Sequence, residues 1–410
     1  MVRKINLLLL FLFFINSSFS QSNLKDDIFS AIEDGSYFTI NHMLDSAGRS
    51  KCDYDIISGS WNPYEEAWHT GQAIYGLVEA YQVTRQKRLL DQANKSLDWW
   101  LSLQFTEDPF LKGMLNAAHG SKLGPLINFT TITDGTNGIF ALYEVTKNPS
   151  ILSTCEEVAD WMIREMYIEE EGLFYNIVDP TQKKVLKTFN PHRPEDKNPK
   201  ITEVARPNNE GYFFKDLYEY TGKEKYKEVF LNLSESLVRR QYDNGFWMDF
   251  EPNDLENRGG KIHPRFNIWN AESLIEAYKL TEDEKFLNAA LKTARAMQKL
   301  QRKNGRIYYF NYLDGNYREG SVCGSAVSFS GILWLKIKQL TGTTEFDDSI
   351  ELSLKWVLDN RFPTDHPDEN VRGAFLETRS RVEENKSRLF VRDIATAFGL
   401  RFLSMYYRQM

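Results

Sequence analysis

Cysteine is scarce in this chain. Cys52, Cys155 and Cys323 are the only three in 410 residues, too far apart for a disulfide framework or a metal-ligand spacing. One bridge would suit an oxidising compartment, but Cys155 and Cys323 stand among helix-like or small neighbours and read as buried thiols. No His-x-x-x-His or clustered acidic spacing occurs, so neither a catalytic metal nor a cofactor is expected. A basic block is missing as well. With a net charge of −7, the chain does not read as a partner for nucleic acid. Long apolar runs are absent after the first residues.

That one exception is "MVRKINLLLLFLFFINSSFSQS". Arg3 and Lys4 precede a short apolar run from Ile5 to Ile15, and Ser18-Phe19-Ser20 offers a small-x-small cleavage site. Residues 1–20 therefore read as a signal peptide, with export to a periplasm or the exterior and a mature chain starting near Gln21. The run is short for a span, and no Cys stands near the cleavage site for lipidation, so no membrane anchor is expected. Residues 21–410 are ample for a large core and read as one catalytic domain.

What the chain does have is a repeat. "EAYQVTRQKRLL", "ALYEVTKNPSIL", "DLYEYTGKEKYK", "EAYKLTEDEKFL" and "KIKQLTGTTEFD" each end an amphipathic run in a similar turn. Their threonines, Thr84, Thr146, Thr221, Thr281 and Thr341, are spaced by 62, 75, 60 and 60 residues. A second helical run follows each turn, with Trp99, Trp161, Leu237, Met297 and Trp356 near its end. The C-terminal "VRDIATAFGLRFLSMYY" has no successor, and the N-terminal "NLKDDIFSAIEDGSYFTINHMLDS" supplies its partner. Six helical hairpins then close a ring, an all-α (α/α)6 toroid without open ends.

Small residues in "TGQAIYGL", "GTNGIFAL" and "GSAVSFSGILWL" place the first helix of each pair on the crowded inside, and Lys/Glu-rich second helices face solvent. Each outer helix is followed by a Gly-led extended piece, "EGLFYNIVDP", "NGFWMDFEPND", "NGRIYYFNYLDG" and "RGAFLETRSR". These predict short β-hairpins on one face of the ring. The same face holds the starts of the inner helices, with free N–H groups and partial positive charge. It gathers Glu66, His69, Asp134, Asn209, Glu210, Trp269, Asn270, Glu272, Ser325, Ser328, Arg392 and Asp393. Carboxylates, amides, Trp and Arg on one rim compose a saccharide site, and are also what ordinary N-caps look like. Asp134, at the head of "TDGTNGIFALYEVT", is expected to cap its helix and thereby enter the cup.

"WHTGQAIYGLVEAY" followed by "TDGTNGIFALYEVT" resembles two inner helices of the unsaturated glucuronyl hydrolases. "GLFYNIVDPTQKK", "ARPNNEGYFFKDLYEYTGKEKY", "DNGFWMDFEPND" and "NIWNAESLIEAY" follow in the same order, so the resemblance covers about Trp61 to Tyr278. Its motifs are loose and imply membership of the wider six-hairpin glycosidase group. The resemblance implies that Asp134 is the general acid/base. The family's second Asp is Thr70 here, a strand His is Asn176, and the Arg-Gly-Gln-type start of the third helix reads Arg206-Pro207-Asn208-Asn209-Glu210.

Hydrating a 4,5-unsaturated uronide needs one acid, whereas hydrolysing a saturated glucuronide needs two carboxylates. Glu210 on the neighbouring inner helix supplies a second. The expected activity is an exported glycoside hydrolase releasing a terminal uronic acid from oligosaccharides, with Asp134 and Glu210 as the pair. An unsaturated-uronide hydrolase and a toroid-fold polysaccharide lyase are the alternatives. An epimerase reading needs paired histidines, and these are scattered. A uronate carboxylate calls for Arg, and Arg206, Arg265 and Arg392 are the candidates. Trp61, Trp247 and Trp269 are expected as sugar-stacking platforms, His69 and Asn176 as polar contacts, and Trp99, Trp100, Trp161 and Trp356 as core. His119 stands in the loop before Asp134, and a lid is expected from the loop carrying His192 and Arg193. Association of two chains stays open.

Overall fold

The computed structural model describes residues 23–120, 123–128, 130–190, 193–207, 209–250, 253, 259–383 and 386–410. The signal-peptide reading and His192 lie outside them. Twelve helices form the body: α1 (residues 23–38), α2 (Glu66–Thr84), α3 (Lys87–Leu101), α4 (Thr136–Thr146), α5 (Pro149–Glu165), α6 (Phe213–Thr221), α7 (Glu224–Arg240), α8 (Pro264–Thr281), α9 (Glu284–Leu300), α10 (Gly324–Thr341), α11 (Asp347–Asp359) and α12 (Asp393–Tyr407). Short helical turns at Thr130–Thr133, Ile201–Val204 and Glu210–Tyr212 lie between them.

The repeated threonine has a mechanical job. In each case its hydroxyl donates to the carbonyl four residues back, as from Thr281 to Ala277 at 2.8 Å and Thr341 to Ile337 at 2.8 Å. The same oxygen accepts the N–H two residues on, from Asp283 at 3.2 Å and Thr343 at 3.2 Å. The residue between is left-handed at every turn: Arg85, Lys147, Gly222, Glu282 and Gly342. One side chain thus stops the inner helix and aims the outer one, as αL termination requires.

The even-numbered helices are inner. Contacts run α2–α4, α4–α6, α8–α10, α10–α12 and α12–α2, with the Glu210–Tyr212 turn bridging α6 to α8, so the ring closes. The first and last inner helices meet, and α1 covers α12 through Gly35 on Thr396 and Leu400 and Phe29 on Tyr407. This is the (α/α)6 toroid expected from the repeat. Inner helices are buried along most of their length while outer helices bury one face, and the apolar side chains join in one core.

The return connections carry thirteen short strands: β1 (Asp53–Asp55), β2 (Ser60–Asn62), β3 (Ala118–Gly120), β4 (Gly124–Asn128), β5 (Tyr167–Ile168), β6 (Leu173–Tyr175), β7 (Ile177–Asp179), β8 (Lys184–Val185), β9 (Ala205–Arg206), β10 (Lys261–Ile262), β11 (Asn311–Tyr312), β12 (Thr378–Glu383) and β13 (Lys386–Arg392). They pair as β12-β13-β1-β2, β3-β4-β7-β8, β5-β6-β9 and β10-β11. "NGFWMDFEPND" forms no strand among its described residues; Trp247 and Phe250 bury there as a turn. The sheet of β1 and β13 was not foreseen. Its register, Asp53 opposite Arg392, ties the two ends of the ring across the closing gap.

Backbone approaches backbone where α2 meets α4. A Cβ on Gly138 would fall inside the carbonyl oxygen of Gly71, and one on Gly135 would stand 2.9 Å from Trp68 Cα. Gly138→Ala is therefore expected to destabilise the fold by about 1–3 kcal/mol, as overpacking does. A thermal melt indistinguishable from the wild type would show that the two helices have room to part.

Candidate active site

Asp134 sits in the two-residue step between the Thr130–Thr133 turn and α4. It is not the N-cap: Gly135 is, without a side-chain cap. The expected capping role is therefore corrected. Asp134 Oδ1 is buried without a hydrogen-bond partner, while the main-chain oxygen accepts from Gln72 Nε2. Gln72 also reaches Asn137 Oδ1 at 3.0 Å and is itself held by Arg401 at 3.1 Å, which binds Glu272 at 3.2 Å. The polar network below grips the backbone and leaves Oδ1 uncommitted.

Glu210 comes to the same place from the next hairpin. It is 1 % exposed, and neither carboxylate oxygen has a partner. Gly211 follows at φ +70°, and a Cβ there would overlap the carbonyl oxygen of Thr133. Only glycine lets the Glu210 turn press on the Asp134 turn this closely. Burial first, then the Glu210 and Glu65 charges, hold the Asp134 carboxyl well above the usual range; Arg206 and Arg265 oppose them. Glu210 is raised too, by burial, with Arg206 pulling it back down. Two neighbouring carboxyls unable to ionise together split into an acid and a base. Arg206 Nε is also buried without a partner, its guanidinium 5.6 Å from the Phe266 ring centroid.

Glu65, which sequence reasoning passed over in favour of Glu66, is the third acid near Asp134. It adopts φ +48°, and its Oε1 stands 3.1 Å from His119 Nε2 while Oε2 accepts from Trp68 Nε1 at 2.9 Å. Glu66 turns away to Arg49 at 3.4 Å. The left-handed step at Glu65 swaps the two side chains, and two adjacent Glu residues give no sequence signal for that.

A second polar group joins α2, α8, α10 and α12, with His69 packed on Trp68 at 3.9 Å between ring centroids. His69 Nδ1 lies 2.6 Å from Asp393 Oδ1, both buried, and Ser50 Oγ donates to the other Asp393 oxygen. Burial opposes the imidazolium, but the Asp393 carboxylate raises His69 well above its ordinary range. Cys52 completes a group whose donor atoms lie within 4.8 Å of one another, capable of metal ligation by residue type. Its thiol is pushed up to about 12 by burial and donates to Tyr64 O at 3.1 Å, the behaviour of a structural thiol. All three cysteines are free and buried. Next to this group Arg265 binds Ser325 Oγ at 2.8 Å and Glu377 Oε1 at 3.1 Å, and Arg392 binds Asp53 at 2.7 Å. Glu377, fully buried, was not picked out from sequence because nothing in "GAFLETRSR" marks it as inward.

Several expected contacts do not reach the cup. Trp247 is fully buried, its N–H on Leu237 O at 2.8 Å, and has no face for a sugar. Trp269 is wedged edge-on against Phe329 and Phe398 at 4.7 and 5.7 Å. Asn209 turns its amide outward to Ser234 at 2.9 Å. Trp61 lies on β2, half-buried, under Lys51 at 4.2 Å and bonded to Asn370 at 3.2 Å. Asn176 Oδ1 is buried and unpartnered, and Asn270 has both amide atoms unpartnered in α8. Arg193 is bound to Glu203 within its own loop. Trp100, Trp161 and Trp356 are core, as expected from the outer helices.

No family model matches the chain, and no curated protein matches it in sequence. Solved structures do match. A cellobiose 2-epimerase from Bacillus thermoamylovorans superposes with a TM-score of 0.69 at 14% identity, over 92% of this chain and 99% of that one. An unsaturated glucuronyl hydrolase specific for heparin gives 0.65 at 13%, over 94% and 98%. Another, from a Bacillus species and responsible for degradation of glycosaminoglycan, gives 0.64 at 15%, over 91% and 95%. The chain has the six-hairpin fold of these enzymes.

The His69–Asp393 pair carries a pH signature. His69 is raised, so its contribution is complete below the unfolded value near about 6.5 and fades as pH rises through the folded value. Asp393 is lowered by His69, so its share is present above about 3.9 and is lost as pH falls through the folded value. Asp393→Asn should cost about 3–5 kcal/mol near pH 6. The gap between its Tm and that of the wild type should narrow in strong acid. A gap independent of pH would refute the ion pair.

Proposed function

We propose that this protein is an exported glycoside hydrolase that releases a terminal uronic acid from oligosaccharides, with Asp134 as general acid and Glu210 as its partner carboxylate. The observation carrying this reading is the pair itself: two buried, adjacent carboxyls with no hydrogen bond to Asp134 Oδ1 or to either Glu210 oxygen. Buried polar atoms left unpaired cost stability, and a functional site is one place where that cost is kept. Glycosidic cleavage needs a protonated carboxyl at the leaving oxygen and an ionised one at the anomeric carbon or its water. Asp134, raised by burial and by the Glu210 and Glu65 charges, is assigned the proton; Glu210, raised by burial and opposed by Arg206, is assigned the ionised role.

Arg206 is the natural clamp for a uronate, because Arg265 and Arg392 already serve Glu377 and Asp53. Epimerisation is less well supported. It needs free bases on both sides of a carbon, but His119 and His263 have both ring nitrogens engaged. Among the described residues around the cup only His69 keeps a free ring nitrogen, at zero exposure. Hydration of a 4,5-unsaturated uronide is the second reading, favoured by the likeness to the two glucuronyl hydrolases; it would use Asp134 alone.

A panel of saturated and unsaturated uronides separates them. The proposal expects free uronic acid from saturated substrates without change in ultraviolet absorbance. Loss of absorbance with unsaturated substrates alone would favour hydration, and a gain would mean a lyase. Asp134→Asn and Glu210→Gln should each lower the rate by about 10²–10⁴-fold. A carboxyl raised on folding penalises the native state once pH exceeds the unfolded value, so Asp134→Asn should keep or raise the Tm at neutral pH. Turnover within a few-fold of wild type would remove Asp134 from the chemistry.

A further inference from the structure

Gln72 stands where α2 and α4 touch. Gly71, the residue before it, lies so close to the next hairpin that a Cβ there would overlap the Gly135 carbonyl oxygen. This approach lets the fully buried Gln72 amide reach across to the main-chain oxygen of Asp134. The orientation of that amide follows from its partners. Arg401 meets one end at 3.1 Å, and a guanidinium only donates, so that end is the amide oxygen. The other end is then the NH2 group, which gives one bond to the Asp134 carbonyl and one to Asn137 Oδ1 at 3.0 Å. A flipped amide would set oxygen against carbonyl and nitrogen against guanidinium, so one arrangement alone satisfies these partners.

Arg401 is fixed in turn. Its second terminal nitrogen donates to Glu272 Oε1 at 3.2 Å, and Lys336 meets the same oxygen at 2.7 Å. Lys336 also stands 3.5 Å from Glu276, which Lys215 approaches at 3.6 Å. With Asn137 included, this chain draws on each of the six inner helices and ends on the turn that carries the candidate acid. There the Asp134 N–H donates to Thr130 O at 3.1 Å while its C=O accepts from Gln72. The main chain is held on both sides, and Oδ1 is left without a partner. We infer that Gln72 is a positioning residue for the acid, acting through the Asp134 carbonyl with Arg401 orienting its amide. No sugar contact is required of it. Misplacing a reacting group by about 1 Å can cost about 100-fold in rate, so a hold of this kind reads out in kcat.

The inference rests on Asp134 as the proton donor, and its test separates the two claims. Gln72→Glu keeps the shape and the acceptor for Arg401 but loses both donors; Gln72→Met loses the acceptor as well. Hydrogen exchange of the amides in residues 130–138 is followed by mass spectrometry in the full-length protein without substrate, with α9 as internal reference. Both variants should speed exchange there by about three- to tenfold, the size of one lost hydrogen bond, and leave α9 unchanged. With a uronide that the wild type turns over, kcat should fall by about 10–100-fold while KM stays within about threefold. In the Asp134→Asn background neither variant should lower the residual rate further, because the group they misplace is gone. Arg401→Met should lower kcat too, and its combination with Gln72→Met should cost less than the product of the two. Unchanged exchange at residues 130–138 overturns the inference. So does faster exchange that spreads to α9 with kcat and KM damaged together, which is what a packing role gives. Faster exchange confined to residues 130–138 with kcat intact leaves the hold of Gln72 standing and removes Asp134 from the acid role.

Discussion

Among the described residues, one of the tightest contacts is between peptide backbones. Gly71 and Gly138 let α2 and α4 meet with no side chain between them, and Gly211 lets the next turn rest on the carbonyl of Thr133. Everything chemical at the cup follows from that contact. It puts Asp134 and Glu210, seventy-six positions apart in the chain, into each other's field and largely away from water. A larger residue at any of the three would part the hairpins and hydrate the carboxyls, returning both to ordinary acids.

The ring supplies the stiffness that this contact needs. Five hairpins turn on the same threonine device, and the sixth is completed by the chain's two ends. Closure is reinforced by β1 on β13 and by the buried Ser50–Asp393–His69 bonds, so the start of α2 and the start of α12 cannot drift. Beneath them Lys336 and Arg401 meet on one oxygen of Glu272, and Arg401 holds Gln72, which ends on the main chain of Asp134. Ion pairs below the cup contrast with the Asp134 and Glu210 carboxyl oxygens left without a partner within it.

The fold was legible in the chain because its signals are local and periodic: the threonine turns, the apolar spacing, the glycines of the inner helices. Asp134 could be located from its motif, but not its role, since a capping Asp and a free one look alike until the N-cap is seen to be Gly135. Glu65 and Glu66 could not be told apart, because a single left-handed residue decides which faces inward. Trp247 and Trp269 read from sequence as sugar-stacking platforms, yet large aromatic surface is most valuable in a core, and both are buried. Arg265 and Arg392 lost their freedom to Glu377 and Asp53, partners brought by strands whose pairing no local pattern announces.

The central claim is that one sugar ring lies between Asp134 and Glu210 with its carboxylate on Arg206. A crystal of the Asp134→Asn protein soaked with a uronide-terminated disaccharide tests it most directly. The account predicts the terminal ring in the cup, its glycosidic oxygen beside position 134 and its carboxylate against the Arg206 guanidinium. A sugar bound only on the outer rim at Trp61, or seated with its carboxylate turned away from Arg206, would contradict it.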